Sequence, residues 1–133
     1  MKYGRSDDEW EELAQAGLEF LIERARRGML TSYTELNDAL ADRTGLARFE
    51  FSRPDERAAM GHLLGLVVER NFPTTGLMIS ALVHYLGGND AGPGFYALAV
   101  QLGLLPKDAT RAAKDEFWVS QVAGVHRQYA GSS

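Results

Sequence analysis

From Trp10 to Ala25 the apolar residues return at three- and four-residue steps, through Leu13, Ala14, Leu18, Leu21 and Ile22. That period predicts an amphipathic helix over about residues 8–27. Gly28 is placed to stop it, with Arg26 and Arg27 in the last turn, where the helix dipole favours cations. In the next stretch, TSYTELNDALA, Ser32 stands three residues before Glu35, so that each side chain satisfies a free amide at a helix start. A second, short helix is expected over 33–41. The period is lost across 42–55, which reads as a loop, with RFEF as its candidate for a short strand. A third helix is expected over about 55–70, burying Met60, Leu63, Leu64, Val67 and Val68 and stopped by Asn71 and Pro73. Gly61 and Gly65 lie inside it and cost about 1 kcal/mol each relative to alanine, which predicts close packing by another backbone.

The segment LMISALVHY, residues 77–85, is too short for a typical helix and is bounded by Gly76 and Gly87, so it reads as a strand. GGNDAGPG reads as a turn, followed by a short helix over 95–102 and a last one over about 108–129. On that last helix Trp118, Val122, Val125 and Tyr129 share a face. The order of elements is that of a winged helix-turn-helix variant. The expected fold is therefore α+β, mostly helical: a single winged helix-turn-helix-like domain over 1–133, its core at about 30–95, with additional N- and C-terminal helices.

Composition narrows the chemistry. With 45% apolar and 24% charged residues over 133 positions, the chain can bury a core without covalent staples. It has no cysteine, which removes disulfides, thiolate nucleophiles and sulfur-ligated zinc. The absence of a basic-then-apolar leader or a long apolar run predicts a cytoplasmic protein with no membrane association. The formal charge of −4 counts against a strongly basic nucleic-acid surface. Its distribution matters more: residues 1–23 hold seven carboxylates against Lys2 and Arg5, so the remainder is nearly balanced and able to offer phosphate a basic face.

Ser32-Tyr33-Thr34-Glu35-Leu36, Arg57-Ala58-Ala59-Met60-Gly61-His62-Leu63-Leu64, then Asn71 and Pro73, and Gly92-Pro93-Gly94-Phe95 together carry a resemblance. This set resembles the DNA-binding domain of the alkylguanine-DNA alkyltransferases and their catalytically dead alkyltransferase-like relatives, over roughly residues 30–95. The resemblance implies that Tyr33 meets a backbone phosphate, that Arg57 takes the place of an extruded base, and that the helix following Arg57 lies in the minor groove of double-stranded DNA. Where that family carries its proline, cysteine, histidine and arginine, this chain has Ile79, Ser80, Ala81, Leu82 and Val83. Alkyl transfer needs a thiolate, so the implied role is non-catalytic.

Each candidate has a plainer reading beside it. Tyr33 at a helix start is also an ordinary half-buried core residue, and Arg57 is also a solvated arginine paired to Asp55 or Glu56. Arg48, Arg53 and Arg57 suit bidentate phosphate contacts, yet acidic residues are interleaved with them. His62, His84 and His126 lack metal-ligand spacing. Ser80, His84 and Asp90 as a triad are excluded on a regular strand, where Ser80 and His84 stand about 13 Å apart. The leading expectation is a non-enzymatic nucleic-acid-binding module, an accessory in bacterial DNA transactions, with Tyr33, Arg48, Arg53 and Arg57 as its face and no catalytic residue, cofactor or metal. The alternative is a protein-interaction module that has lost DNA binding, with a protein partner or a second copy meeting the C-terminal helix.

Overall fold

The computed structural model describes residues 1–84 and 91–130. Helix α1 spans Asp7–Arg26. Its start is fixed by a reciprocal cap, in which the Glu9 amide donates to Ser6 Oγ at 3.2 Å and the Ser6 amide to Glu9 Oε1 at 2.8 Å. Asp7, Asp8 and Glu9 in the first turn face the positive end of the dipole. Helix α2 spans Tyr33–Thr44 and carries the same cap from Ser32 and Glu35. It runs a turn beyond the expected end and stops at Gly45, whose φ of 74° only glycine adopts without strain.

Helix α3, Pro54–Thr75, opens with proline at its start, where the missing amide would be unpaired in any case. Asn71 and Pro73 do not end it, contrary to expectation. A proline so close to the C-terminal end forfeits little of the hydrogen-bond ladder, and the helix continues to Gly76, whose amide donates to the Phe72 carbonyl at 2.7 Å. Helices α4, Pro93–Gln101, and α5, Arg111–Tyr129, follow.

The two expected strands are corrected. RFEF forms none. Its Phe49 is instead buried and held by the Asn37 side chain, which accepts from the Phe49 amide at 2.8 Å and donates to its carbonyl at 2.9 Å. Over 77–84 the chain makes a 3-10 turn, Ile79–Leu82, and only then a two-residue strand β2, Val83–His84; Tyr85 lies outside the described residues. Strand β2 pairs in parallel with β1, Thr31–Ser32, Thr31 opposite Val83 and Ser32 opposite His84. All four residues of the 3-10 turn are buried, and side chains serve the backbone there as a neighbouring strand would. The Met78 amide donates to Gln121 Oε1 at 2.8 Å, the Ile79 amide to Asn71 Oδ1 at 3.1 Å, and Trp118 Nε1 donates to the Ala81 carbonyl at 2.8 Å. Of the glycine-rich turn, residues 87–90 lie outside the described residues.

One apolar cluster joins α1, α2 and α3; a second joins α4 and α5 to Val68, Met78 and Ala81. Trp118 and Val125 are buried in these clusters, with Val122 and Tyr129 packed against them. The stripe on the last helix is thus the face that docks it. Close helix approach occurs at Gly17, where an added Cβ would lie 3.4 Å from Val67 Cγ2 and 3.6 Å from Leu40 Cδ2. It does not occur at Gly61 or Gly65, where an added Cβ meets nothing within 4 Å. Among the described residues no helix is long and apolar enough to cross a membrane. The fold is α+β and mostly helical, with a small parallel sheet.

Candidate nucleic-acid interface and the cleft behind it

The loop between α2 and α3 is fastened from two sides. Asn37 holds Phe49 from below. On the outer side Arg5 forms a two-pronged ion pair with Glu56, at 2.9 and 3.1 Å, while its guanidinium lies 4.0 Å from the Phe49 ring centre. Glu56 also accepts the Glu50 amide at 3.1 Å. The Arg5 hydrogen bonds, opposed by burial, hold the Glu56 carboxyl below its ordinary pKa, with the Glu50 amide and the charge of Arg5 adding to the effect. Sequence reasoning missed Arg5, because its partner lies 51 positions away and no local pattern links them.

Glu56 and Asp55 are therefore not available to Arg57. Asp55 binds Arg53, at 2.6 Å, and Arg48 pairs with Asp38 at 2.9 Å; both pairs are exposed. Arg57 reaches back along the loop and donates to the Phe51 carbonyl at 2.7 Å. Among the described residues no carboxylate pairs with it. Phe51 also meets Tyr33, edge to face at 6.4 Å, and the Tyr33 hydroxyl donates to the Ala91 carbonyl at 3.4 Å.

Of the four expected face residues, the structure brings Tyr33 and Arg57 together; with Phe51, Met60, Gly61 and Gly94 they line a cavity of about 400 Å³. Arg48 and Arg53 are not among its lining residues. Behind it a cleft of about 650 Å³ runs between α3 and α4, sharing Tyr33, Gly61 and Gly94 with the first. Leu64, Val68, Phe72, Phe95 and Leu98 give it apolar walls, and Ser80 reaches it from the 3-10 turn. The cleft went unforeseen, although Gly61 and Gly65 signalled it. A glycine with open space beside it leaves a helix wall bare as readily as it admits a neighbour.

His62 also lines the cleft and sets its ring edge-on to Trp10 at 4.7 Å. Burial, reinforced by the charge of Lys2 and opposed by Glu69, pushes its pKa below the ordinary 6.5. His84 and Ser80 belong to different elements, and Asp90 lies outside the described residues. Comparison with known proteins found no matching family model, no matching curated protein and no matching solved structure.

Proposed function

We propose that the chain is a non-enzymatic nucleic-acid-binding module on a winged-helix-like core, meeting double-stranded DNA at the rim formed by Tyr33 and Arg57. The observation that carries this reading is the convergence of those two side chains on one cavity, with Arg57 spending its charge on no carboxylate among the described residues. A guanidinium with one neutral acceptor keeps donors for a phosphate or a base edge. Arg48 and Arg53 are secondary. Exposed ion pairs such as theirs are weak and screened by solvent, so a phosphate displaces Asp38 or Asp55 at little cost. With no cysteine in the chain, alkyl transfer of the kind the resemblance would imply has no nucleophile.

Few phosphates are engaged by so small a basic rim, so binding is expected to be micromolar or weaker. Its salt dependence should be shallow, about −0.9 in log–log slope per phosphate neutralised. Fluorescence anisotropy of a labelled duplex, titrated with protein from about 50 mM salt upwards, measures both quantities. Absence of binding at the lowest salt sinks the reading. In that event the protein-interaction reading takes its place. It is favoured by the net charge of −4 and by the apolar walls of the cleft.

A further inference from the structure

We propose that the cleft between α3 and α4 is a binding site for a small amphiphilic anion, an apolar body bearing one carboxylate or sulfonate. The proposal goes beyond nucleic-acid binding and does not depend on it. At about 650 Å³ the cleft lies inside the range of roughly 300–1,000 Å³ that small-molecule sites occupy. It is elongated: Gly61 to Phe72, both lining it along α3, span roughly 16 Å at the helical rise.

Two features show that the space is kept open. Gly61 and Gly65 both line it, and a Cβ at either would meet nothing within 4 Å. Helix packing therefore does not require them, while each weakens the helix relative to alanine. Second, Ser80 is only 5% exposed, yet its hydroxyl has no hydrogen-bond partner among the described residues. No side-chain polar atom there is both fully enclosed and unpaired, so the hydroxyl opens onto the cleft. The hydroxyl is therefore a donor and acceptor presented to the cleft, where a ligand's polar group can meet it.

Charge sets the orientation. At the end shared with the smaller cavity stand Arg57, the Tyr33 ring and Gly94 in the first turn of α4. Glu69 lines the cleft further along α3 and repels a negative head there. The anionic group belongs at the Arg57 end, with the apolar body lying between α3 and α4 toward Phe72.

The test uses the intact chain and 1-anilinonaphthalene-8-sulfonate, which has this chemistry, with decanoate and the neutral decanol as competitors. Saturable one-to-one fluorescence enhancement is expected, displaced by decanoate, with decanol about tenfold weaker for want of one charge-assisted contact. Gly65→Leu and Leu98→Trp, which fill the cleft from its two walls, should each abolish the enhancement while thermal unfolding stays cooperative. Arg57→Gln should weaken decanoate and leave decanol unchanged. Failure of decanoate to displace the dye, equal displacement by decanol, or unaltered dye binding by either filled variant would overturn the proposal. No nucleic acid is present in these measurements, so their failure leaves the DNA reading standing.

Discussion

Single side chains acting on distant backbone do much of the positioning in this molecule. Trp118 fills part of the second apolar cluster and also satisfies the Ala81 carbonyl at 2.8 Å. The two contributions separate by substitution. Trp118→Phe leaves that carbonyl unpaired and should cost about 1–3 kcal/mol, whereas Trp118→Ala removes the ring as well and should cost about 3–5 kcal/mol, both read from urea titration. Unchanged stability accompanied by loss of a dimer would show instead that the ring belongs to an interface. Arg5 acts similarly on the loop that presents Arg57. Its pair with Glu56 is largely shielded, at 13% and 12% side-chain exposure, so Arg5→Ala should cost about 1–3 kcal/mol. Because the folded-state pKa of Glu56 is depressed, the stability it contributes is present above its unfolded pKa and is lost as pH falls through the folded one. Arg5→Ala should flatten that acid limb of the stability profile, and a limb of unchanged steepness would remove the pair from the account.

At the scale of elements, the helices were legible and the strands were not. The caps at Ser6 and Ser32 and the apolar periods are local signals, and helices α1, α2 and α5 begin within three residues of where those signals place them or start at the cap itself. Phe49 and the 77–84 segment look like strands because they are apolar, and they differ because their backbone partners are side chains. Asn37, Asn71 and Gln121, all buried, supply hydrogen bonds that a sheet would otherwise provide, across separations of 12, 8 and 43 positions. No periodicity reveals such a partnership. The rim was legible in part: Tyr33 and Arg57 stand together, while the ion pairs of Arg48 and Arg53 turn on which of several interleaved acids lies nearest in space. The glycines give a test at this scale. Gly65→Ala should raise stability by about 1 kcal/mol, the difference in helix propensity. Gly124→Ala should change it little, because the new Cβ would lie 2.9 Å from Leu77 Cδ2 and the leucine must move. Differential scanning fluorimetry on the two variants compares them directly, and a destabilised Gly65→Ala would restore the idea of a close neighbour.

Across the whole molecule, protonation bears on stability and the distribution of charge on the proposed binding. His62 joins the N-terminal segment to α1 and α3, with Tyr3 at 5.9 Å and Trp10 at 4.7 Å. Its depressed pKa means that the unfolded chain takes up a proton which the folded chain resists. Stability is therefore full above about pH 6.5 and declines as pH falls toward the folded pKa. His62→Gln should remove that decline, and a profile identical to the parent's would assign it to other groups. The acidic first helix and the balanced remainder leave Arg57 as the cation on which the nucleic-acid reading turns. The most direct test compares Arg57→Glu with Arg127→Glu, which makes the same change of charge on the last turn of α5. A glutamate in the first turn of α3 suits the helix dipole, so neither circular dichroism nor unfolding should register a loss of fold. Duplex anisotropy at low salt should show binding abolished by Arg57→Glu and kept by Arg127→Glu. Equal binding by Arg57→Glu and the parent, or equal loss in both variants, would contradict a specific role for the Tyr33–Arg57 rim.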